Sequence, residues 1–401
     1  MSVPVDVAST AIGDHALPPR FGSAREAAPR KRRPRRGPVL SAAAVVFAAM
    51  AVGVLQLTSS LGYDEARAEF DAGRATTAST GTELRHELDA LTSTLGNADL
   101  LLQTDSGVLV TPAARDALSL ATTDAREVVT PAEDLLARDL PAAEAKPGTF
   151  WELFAASGEL AAQTRDLDDR AADLEGAASP LTAAVTTVTD AGAAVIRSAS
   201  EAAPAFESAH LSAKNDAVIA LRDAASRASG TVILDASAVE KLVSLQDAAA
   251  QVVATEQAEL AEKAGPLQTA RTEIEAFARS LAPEVLLEFD WNQVVNNAGY
   301  NGSMGGLTTW WWDDPDRAVI ELSNSVAEQW PAERSKALVA HEVGHAISVK
   351  CEDMYDSSTQ DSIEKWATAW AISMGFSDDA NGVWAYGYPP QSYIDAAYGC
   401  R

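Results

Sequence analysis

Beyond its first 37 residues the chain is short of positive charge. Residues 1–37 hold eight of the 31 Lys and Arg (Arg20, Arg25, Arg30, Lys31, Arg32, Arg33, Arg35 and Arg36) against only Asp6, Asp14 and Glu26. That leader carries +5, so within a net charge of -26 the remainder of the 401-residue chain carries -31. A body this acidic repels phosphate backbones, which argues against nucleic acid as its partner. Histidine is scarce as well: there are five, and none follows His345. Cysteine is scarcer, with only Cys351 and Cys400. On the oxidising side of a membrane two such residues read as one disulfide, and elsewhere as two free thiols.

Charge is absent altogether from Val39 to Leu61, a run long enough to cross the hydrocarbon core as a helix. Basic residues precede it while Asp64 and Glu65 follow, so the N-terminus is expected in the cytoplasm and residues 62–401 outside. The alternative is a cleaved leader with Ala66-Arg67-Ala68 as its exit site. Beside a membrane helix, the cluster Arg30 to Arg36 reads as a topology signal and a contact for anionic lipid.

Aromatic residues and glycine are sparse from Tyr63 to Glu284, whereas eight of the nine Trp and six of the seven Tyr fall after Asp290. The first stretch, rich in Ala, Leu, Glu, Asp and Thr, suits long helices in antiparallel hairpins. Thr111-Pro112, Thr130-Pro131 and Ser179-Pro180 each place a capping hydroxyl before a proline, and Thr130 with Glu133 forms a capping-box pattern. After Gly265-Pro266 a helix restarts with Leu267, Ile274 and Leu281 at heptad spacing, a candidate coiled-coil seam with room for a helical partner. Further on, Asn296 to Leu307 is a glycine- and asparagine-rich loop without the spacing or lysine of a phosphate-binding loop. Thr308 to Trp312 and Arg317 to Ser323 read as strands joined by Asp313-Asp314-Pro315-Asp316. The triple tryptophan Trp310 to Trp312 suits core and edge packing.

Trp330-Pro331 then opens a helix carrying His341-Glu342-Val343-Gly344-His345, in which Ser348 is the only other polar side chain between Lys336 and Lys350. Two imidazoles and a carboxylate in so apolar a run need partners. Four residues apart on a helix, His341 and His345 share a face and can grip one zinc ion, with Glu342 beside its water. Gly344 in mid-helix costs about 1 kcal/mol relative to Ala, which suits a site where something approaches the backbone closely. A catalytic zinc needs a third protein ligand and one open position. With no histidine downstream, the candidates are Glu352, Asp353, Asp356, Asp361 and Glu364. Glu364 is favoured because Trp366, Ala367, Trp370 and Ala371 form a helical face that would pack it toward the first helix. Asp361-x-x-Glu364 is equally a capping pattern for a helix starting near Asp361.

His341-Glu342-x-x-His345, eighteen residues, then Glu364 resembles the gluzincin zinc metallopeptidases, and the preceding strand with its Ala-rich second helix is similar to the small ImmA/IrrE-type members. The likeness covers about residues 290–401. It implies that His341, His345 and Glu364 bind zinc and that Glu342 is the general base. It also implies that the strand Ala318 to Ser323 is the edge along which a peptide lies, and that Tyr386, Tyr388 or Tyr393 steadies the oxyanion.

The expected architecture is mostly α. Residues 1–37 form a basic cytoplasmic tail, 38–61 a transmembrane helix, 62–285 an extracytoplasmic helical bundle or coiled-coil stalk, and 286–401 a small α+β zincin-like domain. The expected function is hydrolysis of a peptide or protein substrate by a single-pass membrane enzyme. The alternative is a membrane-anchored helical scaffold or sensor whose metal-bearing terminal domain is not catalytic.

Overall fold

Burial that recurs every seven residues organises the first half of the molecule, and it does so on two very long helices. The computed structural model describes residues 38–401, with side chains from residue 44 onward, and is mostly helical at 72% helix. The basic stretch 1–37 lies outside the described residues. Helix α1 runs from Pro38 to Thr104, so the apolar segment expected at 38–61 continues as one helix rather than ending there. It supplies the one span, among the described residues, that is apolar and long enough to cross a membrane.

The chain divides into two compact units. The first joins residues up to Ala66 with Ala145–Gly158, and the second joins Arg67–Glu144 with Glu159–Arg401. In the second unit α1 lies beside α4 (Phe150–Ala209). Phe70, Thr77, Leu84, Leu91 and Ala98 of α1 are buried, as are Leu160, Leu167, Leu174, Leu181, Val188 and Val195 of α4. Thr77 Oγ1 donates to the Leu167 carbonyl at 3.0 Å, and Thr182 Oγ1 to Glu87 Oε2 at 3.1 Å. Both contacts pair positions that advance together, so the two helices run parallel with matched heptads, the packing of a coiled coil. Helices α2 (Pro112–Glu127), α3 (Val129–Leu136), α5 (Asn215–Ser229) and α6 (Ala236–Glu262) complete the same core.

Three local expectations resolve differently. Thr111 caps α2, accepting from the Ala114 N–H. Thr130 does not cap a helix: Val128 holds that position in α3, with no side-chain bond. Ser179-Pro180 lies inside α4, where burial of Leu174 and Leu181 carries the helix through a proline costing about 3 kcal/mol. The expected coiled-coil seam is instead the core-facing stripe of α7 (Gln268–Leu281). Ile274 is fully buried, and Leu267 and Leu281 pack against the C-terminal core.

That core surrounds a three-stranded sheet of order β1-β3-β2. The strands are β1 (Leu286–Asn292), β2 (Gly306–Trp311) and β3 (Asp314–Ser323). β3 pairs antiparallel with β2 across a tight turn at Trp312-Asp313, so that Asp314 to Asp316 of the expected connection belong to the strand itself, and parallel with β1, a strand the sequence patterns did not single out. The expectation that Ala318 to Ser323 forms a peptide-binding edge is therefore corrected. β3 is hydrogen-bonded on both sides, and β2 is the edge nearest the metal-ligand helix. After α8 (Asn324–Glu328), helix α9 (Glu333–Ser348) is buried on almost every side between the sheet, α7 and α10 (Gln360–Ser373). α10 starts at a Thr359 cap that accepts from Ser362 N–H, so Asp361 is not the cap and pairs with Lys365 at 2.8 Å. The tail adds two short helices, α11 (Val383–Tyr386) and α12 (Gln391–Ala397). Cys351 and Cys400 are disulfide-bonded, tying the end of α9 to the end of the chain.

Candidate metal centre

Helix α9 presents its two imidazoles on one face because they stand four residues apart, and α10 crosses that face closely. The crossing depends on Gly344: a Cβ there would lie 2.8 Å from the Ala367 carbonyl oxygen and 3.0 Å from Ala367 Cα. Glu364, one turn before Ala367, is thereby brought onto the histidine pair. His341 Nε2 lies 3.2 Å from Glu364 Oε2, His345 Nε2 lies 3.1 Å from the same oxygen, and the two Nε2 atoms are 3.2 Å apart.

All three side chains are buried, and together they could hold a metal ion. Hydrogen bonding accounts for this triangle poorly, since two nitrogens cannot both donate to one oxygen and also to each other. Three corners of a tetrahedron about an ion at roughly 2 Å stand about 3.3 Å apart, so the donor set fits zinc. Burial pushes the Glu364 carboxyl up, but bonds and charge from His341 and His345 outweigh it and hold the group well below the usual carboxylate range. The chain matches no family model, no curated protein and no solved structure. Its chemistry is therefore read from these donors and their surroundings.

Neighbouring groups orient each ligand. Gln360 Nε2 donates to Glu364 Oε1 at 2.8 Å, which leaves Oε2 directed at the histidines. The Thr368 hydroxyl donates to the Glu364 carbonyl at 2.9 Å and so accepts from His341 Nδ1 at 3.4 Å. That tautomer leaves the lone pair of Nε2 facing the site. Trp310 stacks on the His345 ring with centroids 5.3 Å apart, whereas His345 Nδ1 is buried without a protein partner. Gly382, at φ 104°, lies against His341, where a Cβ would come within 2.7 Å of the ring.

Glu342 faces β2. Its Oε2 accepts from Thr308 Oγ1 at 2.8 Å, and a Cβ on Gly306 would fall 2.3 Å from its Oε1. Burial pushes its carboxyl up to about 6, against the opposing influence of His341 and the Thr308 bond and with the help of nearby Glu364. Of the three candidate tyrosines the structure brings only Tyr386 to the ligands. Its ring stacks on His341 with centroids 5.9 Å apart, and its hydroxyl feels the charge of Glu364. Burial first, then the charges of Glu364 and Glu342, push that hydroxyl up to about 12. Tyr388 is exposed. Tyr393 instead packs edge-on against Trp366, its hydroxyl bonded to Ser362 and to the Asp356 N–H.

The other carboxylates weighed as third ligand stay away: Glu352 bonds Ser357, Asp356 bonds Ser358, Asp361 pairs with Lys365, and Asp353 is exposed. Sequence reasoning missed Thr308, Trp310 as a stacking partner, Gln360 and Thr368. Gln360 and Thr368 lie one turn either side of Glu364, a spacing that marks both as neighbours on its face. Thr308 carried no comparable signal, because its partner belongs to another element.

Proposed function

We propose that the chain is a membrane-anchored zinc peptidase with its site facing out of the cytoplasm, and that the likeness to gluzincins in residues 290–401 is functional. One observation carries the reading: a buried carboxylate, Glu342, stands beside the His341, His345 and Glu364 triad with its proton affinity raised to about 6. Structural metal sites need ligands only, whereas hydrolytic ones also need a base. When bound, zinc would polarise a peptide carbonyl and acidify a water molecule. Glu342 takes up the proton that this water releases and returns it to the leaving amine. The Tyr386 hydroxyl, which keeps its proton to about 12, donates to the carbonyl oxygen as charge develops there. An extended peptide would add to the outer edge of β2, where backbone groups lack a strand partner. The uncharged residues 39–61 would span the bilayer, with the basic leader holding the N-terminus inside.

The test is the metal content of the purified full chain by mass spectrometry, beside His345→Ala and Glu364→Ala, with hydrolysis of a peptide library by the native chain and Glu342→Gln. About one zinc per chain, lost in both ligand variants, together with cleavage abolished only in hydrolysis by Glu342→Gln, is expected. Metal without cleavage of any peptide would replace the enzyme by the scaffold or sensor. No metal in a folded, zinc-supplied chain would remove both.

A further inference from the structure

Within the first unit, Ala145–Gly158 folds against the apolar part of α1. Lys146 Nζ lies 2.6 Å from Asp64 Oδ1, and two residues later the Gly148 carbonyl accepts from Gln56 Nε2 at 3.1 Å. The two α1 partners stand eight residues apart, about 12 Å at 1.5 Å per residue, a distance bridged by two residues of backbone together with the extended Lys146 side chain. There the chain turns and leaves as the first turns of α4. Phe150, Trp151 and Phe154 then line, with Leu55 and Gly62 of α1, a cleft of about 610 Å³.

This face is built for lipid. Trp151 is 60% exposed and Phe154 79%, and they share the cleft with Leu55 of α1, which is exposed too. Such a continuous apolar surface marks a membrane or protein contact. Its continuity with the uncharged stretch of α1 points to lipid rather than to a protein partner, and the polar groups of this stretch fit hydrocarbon because their bonds are made internally. The Gln56 amide is bonded to Gly148, while Thr58 Oγ1 and Ser59 Oγ turn back onto the carbonyls of Val54 and Leu55. Depth follows from the helix start. The first N–H groups of α4 need acceptors, which the headgroup layer supplies and the bilayer centre does not. Tryptophan and a lysine paired with an acid at one level belong to that same layer.

We infer that the turn Lys146–Phe154 is a second membrane contact, seated in the headgroup–acyl boundary at the outer end of the α1 span. The inference rests on α1 crossing the bilayer. The base of α4 is thus held by lipid as well as by α1.

The full chain, reconstituted in phosphatidylcholine–phosphatidylglycerol vesicles, would carry an environment-sensitive fluorophore at Phe154→Cys, Phe47→Cys or Glu240→Cys, with nitroxide lipids as quenchers. A shallow nitroxide should quench the Phe154 site at least twofold and leave the Glu240 site unchanged, while a deep nitroxide quenches the Phe47 site. Quenching at Phe47 but not at Phe154 overturns the second contact and leaves the span standing. A Phe154 site shielded from iodide yet untouched by lipid nitroxides means that a second copy covers the face, which also overturns it. Absence of quenching at both positions defeats the span and the inference together. Trp151→Cys serves as an independent second position should Phe154→Cys not fold.

Discussion

One added methyl group tests how the metal centre is assembled. Gly344→Ala should strengthen α9 by about 1 kcal/mol through helix propensity alone. Against this, the new Cβ meets backbone rather than a yielding side chain, at 2.8 Å from the Ala367 carbonyl oxygen, where ordinary contact begins near 3.4 Å. Relief requires α9 and α10 to separate by roughly 0.6 Å, and overpacking of this kind costs about 1–3 kcal/mol. Net stability should therefore fall by no more than about 2 kcal/mol. The site should suffer more, because His341 and His345 ride on α9 and Glu364 on α10. A triangle with 3.1–3.2 Å edges would open toward 3.7 Å on the two edges that join the helices, an estimate of about half an ångström of misplacement, which ligand sites tolerate badly. A 10- to 100-fold loss of zinc affinity is expected, in the range typical of lost supporting contacts. Competition with a chromophoric chelator gives the affinity, and urea unfolding of the metal-free protein gives the stability. An alanine variant more stable by about 1 kcal/mol with zinc affinity within twofold of native would refute the close crossing.

In metal-free protein, Glu342→Gln should change stability with pH. The folded carboxyl binds its proton up to about 6 against an ordinary 4.5, so the native chain loses stability as pH rises between those values and levels off above 6, by about 2 kcal/mol. The variant should match native near pH 4 and exceed it by about that amount at pH 7 in urea melts, and a pH-independent difference would count against a desolvated carboxyl. Tyr386→Phe should cut kcat about 100-fold with little change in KM, whereas Tyr388→Phe and Tyr393→Phe should leave kcat within twofold. Joint replacement of Cys351 and Cys400 by serine releases a bridge spanning 49 residues, a loss of about 4 kcal/mol by chain entropy. The thermal midpoint should drop by several degrees or more, and reductant should lower the native midpoint while leaving the double variant unmoved.

The cluster of His341, His345 and Glu364 that could hold a metal ion was legible because its geometry is written along one helix and one spacing. His341 and His345 need only the helical period, and the Trp366/Trp370 face pointed Glu364 inward. The β2–β3 hairpin was legible as two strands, but its turn falls at Trp312-Asp313 and not over Asp313 to Asp316, most of which extends β3. What failed were inferences in which a local signal competes with burial. Thr130-Pro131 and Ser179-Pro180 look like helix starts, yet heptad packing runs α4 through Pro180. The parallel pairing of α1 with α4 was present as Leu160, Leu167, Leu174, Leu181, Val188 and Val195, seven residues apart. Its partner stripe puts Thr77 and Ala98 among the buried positions, so neither a hydrophobic count nor an alternation revealed it. The edge role of Ala318 to Ser323 was implied by the family likeness alone, and β1, which the sequence patterns did not mark, pairs with that side of β3.

Edge position and chemistry meet on β2. One strand supplies Thr308 to the Glu342 carboxylate, Gly306 to let the backbone lie against that carboxylate, and Trp310 to the face of His345. Of the two edge strands among the described residues, β1 and β2, it is β2 that would pair with an extended peptide under the proposed function. Under the proposed function, a peptide strand added there would press on Thr308, whose bond lowers the proton affinity of Glu342. Substitution at β2 should therefore disturb peptide binding and proton transfer together, whereas β3, paired on both sides, would transmit only through packing. Under the proposed function, had β3 been the edge, the strand bonded to Glu342 and the strand paired with the peptide would have been different ones.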